Sequence, residues 1–547
     1  MNNAIYNFET PKNEAIYKYN PGSISRKELM NEIDRQSSEI IEIPLIIGGK
    51  EVFTKNRNSV IMPHDHGQVM ASYCIAGPEE IEMAAQAAVS AREDWMSLSW
   101  LDRASVFLKA AELISEKYRY VLNAATMLGQ SKSAYQAEID SACEVIDFLR
   151  FNAYYASEIY SKQPSSEFGN LNRIEYRALE GFVLAITPFN FTAIASNLNA
   201  APALMGNTLV WKPASTSVLS NYYLMKIFME AGLPEGVINF IPSSGKDISS
   251  VVLKNKHLAG IHFTGSTGTF NHIWRSTGEN LSNYISYPKL IGETGGKDFI
   301  FVHASANIEE VATAMIRGAY EYQGQKCSAA SRTYIPESMW PKLKRMLVEQ
   351  INEIKMGDVR DFSNFANAVI DEASFDGIMD YIGYAKKSTD AKIIAGGTGD
   401  KTHGFFIRPT LIETTDPHFK TMEEEIFGPV LTVFVYKDNE FEQTLEICDK
   451  TSPYALTGSI FSTDRYALNI ACRKLRYAAG NLYFNDKPSG AVVGQQPFGG
   501  ARASGTNDKS GSYLNLIRWT SPRTIKETFI PANDYRYPFM DGDGRLI

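Results

Sequence analysis

The segment Gly324-Gln325-Lys326-Cys327-Ser328 sets a cysteine just after an expected helix end and a glycine, beside a lysine whose charge would favour the thiolate. A thiolate attacks carbonyl carbon well, but most free cysteines are small buried hydrophobes, so Cys327 gains meaning only from companions. Gly292-Glu293-Thr294-Gly295-Gly296-Lys297 offers a lone carboxylate before a flexible turn, the form of a general base. Thr187-Pro188-Phe189-Asn190-Phe191 presents an uncharged amide donor at the end of an apolar strand. Phe263-Thr264-Gly265-Ser266 leads from a strand through small residues to a helix start, a place for an anion. Glu425-Ile426-Phe427-Gly428-Pro429 and Phe498-Gly499-Gly500 complete the set, the latter in an uncharged loop from Pro488 to Ala501. Any one of these turns alone is most often only a turn.

The elements that must carry these residues have a clear rhythm. From Pro78 the chain places proline and acids in a first turn and continues alanine-rich with apolar residues at helical spacing, which predicts a helical layer to about Phe151. Short β-rich runs then recur at Phe182 to Ile186, Leu209 to Trp211, Val237 to Ile241 and Gly260 to Phe263, with helical stretches such as Ser217 to Ala231 between them. That alternation predicts βαβ crossovers and a parallel sheet covered on both faces. A second α/β region opens at Phe299 to Val302, followed by a helix with Ile308, Val311, Ala312, Met315, Ile316 and Ala319 on one face. Polar residues from Ser161 to Arg177 and the tail from Trp519 read as strands outside both cores.

A length of 547 residues fits about three structural units, and 44% hydrophobic with 21% charged residues is ordinary for a globular protein. With 54 basic against 62 acidic residues and no basic block, a nucleic-acid groove or a polybasic membrane surface has little support. The uncharged stretch between Glu180 and Lys212 carries Asn190, Asn197, Asn199, Asn207, Pro188 and Pro202, which suits a soluble core better than lipid. Cysteines 74, 143, 327, 448 and 472 are odd in number and form no CxxC pair, against a disulfide framework or zinc site and for a reducing compartment. His64 and His66 read as a polar loop after Pro63 rather than metal ligands. The N-terminal stretch mixes Glu and Lys without a long apolar run, so the expected location is the cytoplasm, or the mitochondrial matrix if a presequence has been removed.

In this order, over nearly the whole chain, the six segments resemble the aldehyde dehydrogenase superfamily. The stretch Gly494-Gln495-Gln496-Pro497-Phe498-Gly499-Gly500-Ala501-Arg502-Ala503-Ser504-Gly505-Thr506-Asn507-Asp508 is similar to its L-glutamate γ-semialdehyde (1-pyrroline-5-carboxylate) dehydrogenase branch. Residues 188–194 and Trp519-Thr520-Ser521-Pro522 point the same way. The resemblance implies an α/β fold with a Rossmann-type cofactor domain over 1–160 and 180–292 and an α/β catalytic domain over 293–490. A small β-hairpin oligomerisation unit would comprise 161–179 and 515–547.

It also implies roles, each carried over by position. Cys327 would be the nucleophile, Asn190 an oxyanion donor together with the Cys327 backbone N–H, and Glu293 the base that activates the deacylating water. Pro188, Lys212, Ser215, Gly265, Ser266, Glu425 and Phe427 would line an NAD site. Ser328, Gly490, Ala491, Phe498 and Phe191 would hold an aldehyde that ends in an α-amino acid; a helix N-cap is a second reading of Ser328. Two positions depart from the commoner family pattern. Phe270 stands where many relatives end the phosphate turn with glycine, and Ser215 where many NAD-preferring members have glutamate, so NADP use at lower efficiency is expected. The expected reaction is NAD-dependent oxidation of L-glutamate γ-semialdehyde to glutamate, the last step of proline breakdown, by a homodimer or higher homo-oligomer linked to a separate proline dehydrogenase. The alternatives are another semialdehyde dehydrogenase, a CoA-acylating enzyme, against which Glu293 argues, and an idle structural protein of the same fold.

Overall fold

The computed structural model describes residues 8–540 and 542; residues 1–7, 541 and 543–547, which include the end of the expected 515–547 unit, lie outside the described residues. The helical layer is built from Pro78–Ser97, Trp100–Leu113, Arg119–Gln130 and Val145–Ser161, so it runs ten residues past the expected end at Phe151. Its starts are fixed locally: Glu80 accepts the Gly77 N–H at 2.8 Å, and the Ser99 side chain caps the next helix. Two π-helical turns, Ile114–Tyr118 and Glu138–Glu144, interrupt it, and the second carries a cluster of buried acids used below.

The strands Phe182–Ile186, Thr208–Lys212, Ile238–Phe240, Leu258–Thr264 and Lys289–Glu293 form the parallel part of a seven-stranded sheet. Two short antiparallel strands, Leu45–Ile47 and Lys50–Val52, complete it beyond Ile238–Phe240. The chain lays strands outward from Phe182–Ile186 in one direction, then returns to place Leu258–Thr264 on its other side. That reversal opens a crevice at the carboxyl ends of these two strands. The second seven-stranded sheet runs Ala391–Ala395, Thr410–Thr414, Val430–Tyr436, Ala330–Pro336, Asp298–Val302, Thr457–Phe461, Asn481–Phe484, parallel except for its first strand. Helices bury apolar faces against both sheets, which gives the α/β architecture.

The polar stretch and the tail do become strands. Asn170–Arg177 pairs antiparallel with Ser521–Thr528, closing a two-stranded ribbon from remote parts of the chain. The His64 expectation needs correcting: the segment is the turn between Arg57–Met62 and Asp65–Cys74, but the His64 ring is buried, 3.5 Å from Asp358, because the 403–405 backbone packs over it. Burial pushes its pKa down to about 4, so it is neutral near pH 7. Among the described residues no His, Cys, Asp and Glu side chains gather to hold a metal ion, and no helix is long and apolar enough to cross a membrane.

The tail is pinned to the first sheet by Trp519. Its ring is fully buried, 4.6 Å from the His262 ring, and its carbonyl accepts the Asn207 side-chain amide at 2.9 Å. Gly260 faces it so closely that a methyl group there would lie 3.1 Å from the indole. Trp519→Ala should therefore cost about 3 to 5 kcal/mol of stability, read from the denaturant midpoint of unfolding. A loss under about 1 kcal/mol would show that the tail is not anchored there.

Candidate active site

Only Thr294-Gly295-Gly296-Lys297 separate the last strand of the first sheet, Lys289–Glu293, from the first of the second, Asp298–Val302. The carboxyl edge of one sheet therefore meets the amino edge of the other, and the chemistry-bearing turns converge along that seam. Cys327 and Ser328 form a turn just before Ala330–Pro336 in the middle of the second sheet. A methyl group on Gly296 would lie 2.1 Å from the Cys327 carbonyl oxygen, and one on Gly295 2.3 Å from Glu425 Oε2. Glycine at both positions lets the backbone pass flat between the nucleophile and that carboxylate, while the Gly296 N–H donates to Glu425 Oε1 at 2.8 Å.

The cysteine turn is held in an uncommon shape. Tyr322, Gln323 and Gly324 are all left-handed, with φ of 52°, 55° and 68°. Two non-glycine residues in this region store strain, which the surroundings must offset. Side-chain amides do so: Gln323 Nε2 donates to the Ser131 and Ala368 carbonyls at 3.0 and 2.8 Å, and Gln325 Oε1 accepts the Ile370 N–H at 2.9 Å. Asn190, buried in the turn after Phe182–Ile186, donates one Nδ2 hydrogen to the Gln325 carbonyl at 3.1 Å, which leaves its second for a ligand beside Cys327.

Glu293 ends its strand with Oε2 accepting the Gly500 N–H at 3.1 Å. Burial holds its pKa well above the ordinary carboxylate value; the Gly500 N–H and Lys509 oppose this and Asp508 adds to it. Burial likewise raises Glu425 to about 7 and Asp298 to about 8, and lowers Lys297, whose buried ammonium has no hydrogen-bond partner among the described residues, to about 7. The half-buried Cys327 is held well above the usual thiol value by burial, then by Asp298, Glu425 and Glu293. This environment favours the neutral thiol over the thiolate. Lys326 does not favour the thiolate as its place in the sequence suggested, because its ammonium turns away to Glu321 at 3.1 Å and burial lowers its own pKa. The helix N-cap reading of Ser328 also fails, since a strand and not a helix follows it.

Around the crevice of the first sheet, Ser266 caps Thr267–Glu279 by accepting the Thr269 N–H at 3.2 Å, and the space beside Gly268 is open. Phe270 points inward, stacked on Phe263 at 5.3 Å and against Gly292, so its departure from the glycine pattern serves packing. Lys212 ends its strand half-buried with its ammonium unpaired among the described residues, its pKa lowered by burial. Ser215 is exposed three residues on, and the Gly265 N–H donates to the Glu293 carbonyl at 3.2 Å. Phe189, beside Pro188, meets the left-handed Phe427 edge-on at 5.8 Å and bridges the two sheets. A free cation, an open helix N-terminus and a carboxylate on the far wall are a donor set that fits a dinucleotide.

On the other side of Cys327, the Ser328 hydroxyl and the N–H groups of Gly490 and Ala491 make no hydrogen bond among the described residues. Gly490 has φ of 89°, and Pro488 packs close to Gly318 beside the start of the Ala330–Pro336 strand, which brings this loop near the Ser328 turn. Phe498 is fixed by two backbone bonds to Ser510, and the Lys132 ammonium lies 4.0 Å from the centre of the Phe191 ring.

Lys132 was invisible in the sequence. Fully buried, it pairs with Asp140 at 2.6 Å and lies 4.6 Å over the Tyr322 ring, while Asp140 accepts the Thr192 and Ala193 N–H groups at 3.0 and 2.8 Å. One ion pair thus braces both the helix start after Asn190 and the strained cysteine turn. Nothing in the spacing of Lys132 and Asp140 marked them, because charges in a helical stretch read as a solvated face.

The aldehyde dehydrogenase family model matches residues 53–525. The chain belongs to the aldehyde dehydrogenase family. It is 54% identical over 537 residues to a mitochondrial delta-1-pyrroline-5-carboxylate dehydrogenase of Dictyostelium discoideum, covering 98% of this chain and 96% of that one. The crystal structure of the Mycobacterium tuberculosis delta-pyrroline-5-carboxylate dehydrogenase bound with NAD superposes with a TM-score of 0.95 at 49% identity, over 98% of this chain and all of that one. Proline utilization A of Bdellovibrio bacteriovorus matches at 30% identity and a TM-score of 0.88, over 95% of this aldehyde dehydrogenase and 54% of that longer chain.

Because the thiol is held protonated, iodoacetamide should modify Cys327 slowly at neutral pH, at a rate still rising above the ordinary thiol value of 9.0. Peptide mass mapping across a pH series reads this directly. A rate already level near about pH 7 would mean that the thiolate is the resting form.

Proposed function

We propose that the chain oxidises L-glutamate γ-semialdehyde, the open form of 1-pyrroline-5-carboxylate, to L-glutamate with NAD as the oxidant. The observation that carries this reading is the convergence of Cys327, the spare Asn190 donor and Glu293 on one seam, with three unused donors, Ser328, Gly490 and Ala491, beyond the sulfur.

In this mechanism Cys327 first gives up its proton to water at the open side of the site, and its sulfur attacks the aldehyde carbon. The Asn190 Nδ2 and the Cys327 backbone N–H receive the oxyanion of the thiohemiacetal. NAD, held by Lys212, Ser266 and Glu425, would supply the acceptor for the hydride that leaves this carbon. The product is a thioester on Cys327. Glu293 swings from the Gly500 N–H, takes a proton from water, and the hydroxide cleaves the thioester to release glutamate and the sulfur. A carboxylate with a raised pKa suits this task, because it is a stronger base once ionised.

The substrate's α-carboxylate would take the Ser328 hydroxyl and the Gly490 and Ala491 N–H groups, with Phe498 and Phe191 packing on the aliphatic part. Ser215 places no carboxylate near a 2′-phosphate, which supports NADP turnover at reduced efficiency. The outer edge of Asn170–Arg177 is capped by the Gln163 and Ser166 side chains, and the outer edge of Ser521–Thr528 in the same ribbon is suited to a second copy of the chain, which supports a homo-oligomer, with the 1–160 plus 180–292, 293–490 and 161–179 plus 515–547 division as its domain plan. The relatives named mitochondrial and the unpaired cysteines support a reducing compartment, the cytoplasm or mitochondrial matrix, served by a separate proline dehydrogenase.

The test is NADH formation over aldehydes with and without an α-carboxylate, in the parent and in Ser328→Ala. Losing one charge-assisted hydrogen bond should lower kcat/KM for the semialdehyde about tenfold to a hundredfold, mainly through KM, and leave propanal nearly unchanged. Equal loss for both aldehydes would contradict the anchor.

A further inference from the structure

The approach to Glu293 involves a lysine that none of the roles above uses. Lys509 follows the glycine-rich stretch, and both it and Asn507 are left-handed, with φ of 53° and 56°. That local fold turns the lysine side chain back beneath its own loop. Its half-buried ammonium donates to the Gly480 carbonyl at 2.8 Å, to the Gly499 carbonyl at 3.1 Å and to Asn481 Oδ1 at 3.3 Å. The Gly499 carbonyl and the Gly500 N–H belong to one peptide group, and that N–H is the donor to Glu293 Oε2 at 3.1 Å. Asn481 braces the peptides just before this one, accepting the Gly499 N–H at 3.2 Å and donating to the Pro497 carbonyl at 3.0 Å.

Resonance couples the two ends of a peptide group, so a cation on its carbonyl oxygen makes its N–H a better donor. We propose that Lys509 is a positioning residue for Glu293, acting through the Gly499–Gly500 peptide to park the carboxylate and to favour its ionised form against the burial that opposes it. This rests on the reading of Glu293 as the deacylation base. The glycines are required by the same geometry: a methyl group at Gly499 would lie 3.0 Å from Glu293 Oε1, and at Gly480 it would strike the Gly499 carbonyl at 1.9 Å. The charged and titratable groups around Glu293 are Cys327 from the second sheet and Asp508 and Lys509 from this loop. Asp508 is occupied by the Thr506 hydroxyl and by Arg518 at 3.4 Å, which leaves Lys509 as the cation that answers Glu293.

The sign follows from charge. A cation coupled to a carboxylate favours its ionised form, so removing the cation lets Glu293 keep its proton to higher pH, and the acidic limb of the deacylation rate moves upward. The experiment measures kcat against pH, with NADH release following an acyl-enzyme burst, in the parent, Lys509→Gln, Lys509→Arg and Glu293→Gln. Lys509→Gln keeps donors without charge, and its limb should move up by roughly one pH unit. Lys509→Arg should return it, with the semialdehyde KM within about twofold of the parent in both. A uniform loss of rate with an unmoved limb, or failure of arginine to restore it, overturns the proposal and leaves Lys509 as a brace for the loop. Glu293→Gln separates the two levels. If it abolishes the limb, an unmoved limb in Lys509→Gln refutes the lysine's role alone; if the limb survives, the base assignment falls and the relay with it.

Discussion

Between the two sheets the chain passes through Gly295 and Gly296, where there is room for hydrogen atoms and nothing larger. On one side lies the Cys327 carbonyl and on the other the Glu425 carboxylate, so this strip of bare backbone fixes how far apart nucleophile, base and cofactor wall stand. A side chain at either position would push the sheets apart. Every other feature of the site depends on that spacing, from the contact of Phe189 with Phe427 across the crevice to the reach of Asn190 into the cysteine turn. Close packing makes such a seam stiff, because buried interfaces shift between discrete arrangements rather than stretch.

The seam also concentrates acids away from water. Glu293, Asp298, Glu425 and the Cys327 thiol hold more protons near neutral pH than the same groups would in solution, and burial is the first cause in each case. A protonated sulfur is protected from oxidation and from stray electrophiles. Attack on an aldehyde then requires that the proton be moved first. Behind this layer, the Lys132–Asp140 pair is expensive to bury but contributes geometry, since its two ends brace the elements that carry Asn190 and Cys327.

Much of this was legible in the sequence. The strands at 182, 208, 238 and 258 follow from local apolar runs, and their parallel pairing follows from the helices between them. The placement of Asn190 at a strand end and of Glu293 before a turn came from proline and glycine punctuation. Long-range facts were harder to read. That the 170s pair with the 520s depends on register across the whole chain, and the burial of the His64 turn depends on Gly404, far along the chain. Lys326 misled because adjacency in sequence says nothing about direction: a neighbour's side chain at a turn can point to the far side, as it does toward Glu321. Lys132, Asp140 and Lys509 carried no mark, since their partners lie on other elements.

The central claim is that Cys327 carries the acyl group and that Glu293 releases it. Incubating Glu293→Gln protein with NAD and L-glutamate γ-semialdehyde, quenching in acid and measuring intact and peptide masses tests this most directly. The account predicts a glutamyl thioester accumulating on the peptide that contains Cys327, at close to one per chain. Full turnover with an unmodified Cys327, or an acyl group on another residue, would contradict it.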